Sequence, residues 1–210
     1  LREGAKLLER VVTRIYTPGS LYEESLIGTD ETSNLASIVV KNDFIGLAIL
    51  DASTGNLWAV EYSGEDKWDR ILDDLLRSST KELVFSPKDS EKDELRDVIL
   101  NLDNVTLSQH STSKRKSDDS LKEILSVADL GHIDLGDFPT AMQAAGLAAD
   151  YLSSMHLIDT VDFKDVEILR PDDNLILDQT TLRNLELTHT LSGEKEGSLL
   201  GAIDKCRTAM

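Results

Sequence analysis

The segment Phe44 to Leu50, FIGLAIL, is almost wholly apolar. Polar turns bracket it, Lys41-Asn42-Asp43 before and Ser53-Thr54-Gly55-Asn56 after. A short apolar run between turn signals reads as a strand covered on both faces. Its neighbours agree. Leu35 to Val40 is rich in β-branched residues, and Leu57 to Tyr62 runs back after the Gly55 turn. The three segments predict an antiparallel meander.

The period then changes. Trp68, Ile71, Leu72, Leu75 and Leu76 follow helical spacing. Glu82 to Phe85 is a short strand closed by Ser86-Pro87. Residues 89 to 101 read as a helix with Leu95, Val98, Ile99 and Leu102 on one face, and Val105 to Leu107 as a further strand. A meander followed by alternating strands and helices predicts an α/β domain, a mixed sheet with flanking helices. The ribonuclease-H-like architecture has this order. Upstream, Val11, Thr13 and Ile15 alternate as a short strand would. Thr17-Pro18-Gly19-Ser20 is a turn, since Pro presets the first turn position and Gly tolerates positive φ. Residues 108 to 120 read as a polar loop and Leu121 to Leu130 as a short helix.

From Phe138 the pattern differs. Pro139 suits a first helical turn. Met142, Ala145, Ala149, Leu152 and His156 fall three and four apart, and their small size predicts a close helix–helix seam. Leu175 to Leu177 is a brief apolar stretch. Thr180 or Thr181 is placed to cap a helix through Glu186 and Leu187, and Ser198 to start another that reaches the chain end. The expected organisation is an α/β domain over residues 1–136 and an incomplete all-α part over 137–210.

Composition narrows the function. The chain has 210 residues, with 39 acidic and 22 basic side chains and a net charge of −17. Phosphate contacts need clustered Lys and Arg. The one short cluster, Lys114-Arg115-Lys116, is followed at once by Asp118 and Asp119, so it reads as a solvated loop. Tight DNA binding by this chain alone is not expected, whereas an acidic surface can steer a basic partner. The single cysteine, Cys206, excludes an internal disulfide and fits an intracellular chain. No signal peptide and no apolar run of membrane length occurs, so no membrane partner is expected. The chain opens at Leu1 without an initiator Met, and we expect it to be part of something larger or processed.

Three acidic positions tempt an enzymatic reading. Asp51 ends the most apolar strand, Glu61 lies on the returning strand, and Asp74, beside Asp73, sits on the following helix. Carboxylates converging on a mixed sheet are what a metal-dependent nuclease uses to hold Mg²⁺. The competing reading makes Asp51 a turn-closing residue with Ser53 and Thr54, and Asp74 a solvated helix residue. His110, His132, His156 and His189 show no metal-ligand spacing with one another or with Cys206. No phosphate-binding GxxxxGK[ST] and no GxGxxG after a strand is present. No cofactor is therefore expected.

Three stretches together resemble the MutS family of DNA mismatch-repair proteins. The first is Arg14-Ile15-Tyr16-Thr17-Pro18-Gly19-Ser20 with Glu24-Ser25-Leu26, similar to the family's R-x-x-TPG-T, with Ser20 for the usual Thr. The second is Asn34-Leu35-Ala36-Ser37-Ile38, Gly46-Leu47-Ala48 and Asp51-Ala52-Ser53-Thr54-Gly55. The third runs from Leu177-Asp178 through Thr181, Arg183, Asn184, Leu185, Glu186 and Leu187. It continues in Gly197-Ser198-Leu199-Leu200 and Ile203-Asp204. The resemblance implies a ribonuclease-H-like connector to about residue 136, then the opening of the helical core. It implies a role in relaying signals between mismatch-binding and ATPase domains and in docking MutL. Other domains of the same chain and a second MutS subunit are the further partners it implies. Mismatched DNA, ATP and Mg²⁺ are implied for the full-length protein only, so no catalytic residue carries over.

Overall fold

The structure, a computed structural model, describes residues 12–20, 34–124, 138–157, 161, 163, 166–170 and 179–205. Glu24, Ser25, Leu26, His132, the Leu175–Leu177 stretch, Asp178 and Cys206 lie outside them.

The meander forms as its apolar and β-branched runs between turns predict. β1 (Asn34–Lys41), β2 (Phe44–Asp51) and β3 (Asn56–Tyr62) pair antiparallel. The β1–β2 turn puts Asn42 at φ 53, a left-handed conformation that Asn tolerates. Helix α1 (Lys67–Arg77) then leads into β4 (Thr80–Phe85), which lies parallel to β1. A 3₁₀ turn (Asp89–Glu91) and α2 (Asp93–Leu100) return the chain to β5 (Thr106–Gln109), parallel to β4. Next come α3 (Lys114–Ile124), α4 (Pro139–Ser154) and a sixth strand, β6 (Val166–Leu169), parallel to β3. The sheet order is β5-β4-β1-β2-β3-β6. Two short helices follow, α5 (Gln179–Asn184) and α6 (Leu199–Ile203).

The sheet is apolar on both faces because each face has its own cover. On one, Ile38, Ile45, Leu47, Ile49, Val60 and Leu83 pack with Ile71 and Leu75 of α1 and Leu95 and Val98 of α2. On the other, Leu35, Leu50, Leu57 and Val84 pack beneath α3 and α4. This explains the apolar run of β2, a central strand between two helical layers.

Helix α4 corrects the expected division of the chain. Its seam of small residues reads as helix–helix packing, and the helix does rest on α3, where a Cβ added to Gly146 would lie 2.0 Å from Ser117 Oγ, but it also lies across the sheet. Ala141, Ala144, Ala145, Ala148, Ala149 and Leu152 are buried in the same core as the sheet's α4 face. Small side chains are what close approach to a sheet requires as well. A Cβ added to Gly46 of β2 would lie 2.1 Å from the Thr140 carbonyl oxygen, so the first turn of α4 rests directly on the strand. A boundary at residue 136 would strip this layer from the sheet, and would also detach β6. The sheet domain therefore runs at least through Leu169. β6 escapes sequence reading because four residues, Val-Glu-Ile-Leu, are too few to show a period.

Three smaller corrections follow. Residues 12–17 form no strand, and Ile15 instead donates its N–H to the Met155 carbonyl at 3.1 Å. The polar stretch 108–120 is a loop only over residues 110–113, between the end of β5 and α3, whose buried residues are Ser117, Ser120, Leu121 and Ile124. Helix α6 begins where expected, with Ser198 Oγ accepting from the Gly201 N–H at 3.0 Å, but it ends at Ile203.

Candidate functional site

Buried polar groups must find partners, so their positions show where the fold concentrates its specific chemistry. Glu82 lies on β4 with no exposed surface. One carboxylate oxygen accepts from Ser108 Oγ of β5 at 2.5 Å and from the Tyr151 hydroxyl of α4 at 2.6 Å. The other accepts from the Gly19 N–H at 3.2 Å. One side chain thus ties the Thr17–Ser20 turn, two strands and α4 together. The turn closes on itself through Thr17 N–H to Ser20 Oγ at 2.8 Å and a Thr17–Ser20 hydroxyl pair at 2.9 Å. Ser20 therefore supplies the hydroxyl that closes the turn. Burial, then the hydrogen bond to Glu82, pushes the Tyr151 phenol up to about 12.

Beside this node lies a second. Asp150 of α4 is also fully buried. Its carboxylate bonds His110 Nε2 at 2.8 Å, Lys116 Nζ at 3.0 Å and Ser120 Oγ at 3.3 Å. Burial alone would raise this carboxyl, but Thr112, His110 and Lys116 outweigh burial and hold it below its ordinary range. The His110 ring meets Tyr151 edge-on at 5.5 Å between centroids, which joins the two nodes. Lys116, expected in a solvated loop, lies on α3, where its ammonium reaches Asp150 while its side chain stays 59% exposed. The grouping of Glu82, His110, Lys116 and Asp150 does not stand out in the sequence, because their partners lie 26 to 69 residues away.

The three carboxylates of the nuclease reading do not meet. Asp51 closes the β2–β3 turn, accepting from Ser53 N–H at 2.9 Å, Ser53 Oγ at 2.6 Å and Thr54 Oγ1 at 2.9 Å, with Gly55 at φ 71. Glu61 caps α4 from the sheet, accepting from the Thr140 N–H at 2.6 Å and the Ala141 N–H at 3.2 Å. Asp74 is buried on the opposite face, accepting from the Tyr62 hydroxyl at 2.8 Å and pairing with Arg77. Burial raises the Asp74 carboxyl despite these donors, and burial with Asp74 beside it raises Tyr62. Asp51 pairs with Asn56, and Glu61 lies five residues further along β3, about 17 Å at the usual strand rise. Among the described residues no three His, Cys, Asp or Glu side chains are grouped to hold a metal ion.

The remaining motif residues hold the backbone. The Asn34 side-chain amide donates to the Ser78 carbonyl, tying β1 to the α1–β4 turn. Pro18 sits in the Thr17–Ser20 turn, and Gly19 is a close approach, since its Cβ would fall 2.6 Å from Glu82 Cβ. In the third motif, Thr181 accepts the Leu185 N–H at 2.9 Å and Arg183 accepts the Glu186 N–H at 3.1 Å through their carbonyls. Asn184 ends α5. The structure brings the two halves of that motif together. Leu199 N–H donates to the Glu186 carbonyl at 3.0 Å and Leu200 N–H to the Leu187 carbonyl at 2.8 Å, while Glu186 Oε1 accepts the Leu191 N–H at 2.8 Å.

Comparison with known proteins finds relatives along the chain. Residues 33–161, well over half of the chain, match the family model for MutS domain II. The DNA mismatch repair protein MutS of Anaeromyxobacter dehalogenans (strain 2CP-1) is 34% identical over 208 residues, covering 98% of this chain and 23% of the relative. The same-named protein of Syntrophomonas wolfei is 32% identical over 213 residues, covering 100% of this chain and 25% of the relative. That of Symbiobacterium thermophilum is 32% identical over 217 residues, covering 100% and 24%. The chain thus spans about a quarter of the length of these relatives. Among the described residues no helix is long and apolar enough to cross a membrane. With a domain II match that ends inside the α4–β6 segment and relatives aligned along nearly its whole length, the chain belongs to the MutS family.

Proposed function

We propose that the chain acts as a connector in DNA mismatch repair, relaying signals between mismatch-binding and ATPase domains and offering part of the docking surface for a MutL homologue. The reading assigns it no catalytic step and no cofactor of its own. ATP and Mg²⁺ belong to the full-length protein, as does mismatched DNA. The five strands β5-β4-β1-β2-β3, with an antiparallel meander continued by two parallel strands, support a ribonuclease-H-like fold for the sheet domain.

One observation carries the docking reading. β5 is the sheet's edge strand, and its Leu107 is 46% exposed while Leu100, ending α2, is 81% exposed. Leu107 is in register with Leu83 and so faces the α2 side. Exposed acidic residues Asp93, Glu94, Asp97 and Asp103 flank these leucines in the chain. Exposed leucines with acidic residues close by in the chain are a composition that suits a basic protein partner. A purely structural spacer has no need of it. For the nuclease alternative, the separation of Asp51, Glu61 and Asp74 removes the shared metal.

The test is cross-linking of the chain to the ATPase domain of its own organism's MutL homologue, with links located by mass spectrometry. Links concentrated on residues 93–109 support the reading. Links scattered over both faces, or an unchanged pattern when Leu107→Glu is introduced, would sink it.

A further inference from the structure

A cleft of about 480 Å³ lies where the end of α1 meets α5 and the loop after it. A volume of this size fits a small ligand. Its lining is unusual for this chain. Of eleven lining residues none is acidic, although 39 of 210 residues in the chain are. Instead it holds Arg77, Arg183 and His189, with the hydroxyls of Ser79, Thr190 and Ser192.

The cations are available. Arg77 pairs with the buried Asp74, which fixes its head, and its side chain is still 42% exposed. A guanidinium has five N–H donors, so one such pairing leaves others free. Arg183 makes no ion pair or side-chain hydrogen bond among the described residues. The nearby carboxylate of Glu186 is engaged by the Leu191 N–H at 2.8 Å. That bond also shapes the loop that carries His189, Thr190 and Ser192. Planar guanidinium forks with hydroxyl donors around them match the oxygens of a phosphate.

We infer that this cleft binds a phosphate group, bracing the α5 segment against α1. The proposal goes beyond the docking reading and does not depend on it. The phosphate has two sources, a free nucleotide and a nucleic-acid backbone.

The test follows backbone amide signals of the isotope-labelled 210-residue chain during titration with inorganic pyrophosphate, ATP and a single-stranded thymidine oligonucleotide. Saturable shifts at residues 77–79 and 188–193 are expected. Arg183→Glu should weaken them by roughly tenfold or more, the scale of one charge-assisted contact. Ser192→Asp, on the exposed loop, should act in the same direction, and unchanged signals from Ile49 and Leu83 show that either variant is folded. Tighter binding of ATP than of pyrophosphate names a nucleotide source, and tighter binding of the oligonucleotide names a backbone source. The proposal fails if no probe saturates, if neither folded variant weakens the shifts, or if the shifts centre on Lys114–Lys116.

Discussion

Gly19 donates its backbone N–H to the buried carboxylate of Glu82 at 3.2 Å, across 63 residues of chain. The turn that carries it is therefore docked on the sheet and not merely a local bend. Its glycine is required for contact, because any Cβ there meets Glu82 Cβ at 2.6 Å and Leu35 Cδ1 at 3.1 Å.

Gly19→Ala should then destabilise the chain by about 1–3 kcal/mol, the usual cost of overpacking. Chemical denaturation of the variant and the parent measures it. An unchanged midpoint would mean that the turn is not seated on Glu82.

Tyr151→Phe removes a donor from Glu82 and should cost about 1–3 kcal/mol, since a buried acceptor loses its partner. The same residue sets a pH response. Its phenol is raised from 10.0 to about 12 in the folded chain, so the folded state holds the proton more tightly than the unfolded state does. The stability it adds is complete below 10.0 and is lost as pH rises toward about 12. Unfolding followed across that range should show a shallower alkaline loss in Tyr151→Phe than in the parent. An equal slope in both would contradict the assignment.

Asp150→Asn should cost ~3 kcal/mol, at the low end for breaking a buried pair, because Lys116 stays partly in water. Asp150 is lowered from 3.8, so the folded chain favours its ionised form. The stability it contributes is present above 3.8 and is lost as pH falls through the folded value. Acid unfolding of parent and variant tests this. The parent should lose more stability than the variant on acidification, and parallel curves would argue against the His110–Asp150–Lys116 cluster.

Glu61→Ala removes the cap that β3 provides for α4 and should cost about 0.5–2 kcal/mol, the range for losing an N-terminal cap. Gly46→Ala, on the neighbouring strand at the partner position of Glu61, should cost more, because the clash is with backbone at 2.1 Å and cannot be relieved by a rotamer change. Thermal unfolding of the two variants ranks them. A milder effect at Gly46 would show that α4 does not rest on β2 as described.

The sequence by itself determined the elements whose signal is local. The meander follows from apolar and β-branched runs and from turns at Asn42 and Gly55. Helices α1, α2 and α4 follow from periods of three and four, and α6 from the capping hydroxyl of Ser198. The Asp51 turn was legible for the same reason, since its partners Ser53 and Thr54 lie within three residues. The family resemblance was legible because its motifs are contiguous runs. Only the tertiary structure decided what depends on distant partners. It placed α4 on the sheet, because a seam of alanines suits a strand surface as well as a helix and sequence does not choose between them. It added β6, whose four residues pair with β3 residues 109 positions earlier in the chain. It joined the buried Glu82 and Asp150 with His110 and the partly exposed Lys116 into one connected network, because a polar side chain is buried only when donors from other elements reach it. It separated Asp51, Glu61 and Asp74 through strand register and the two faces of one sheet, relations that exist only after the strands have paired.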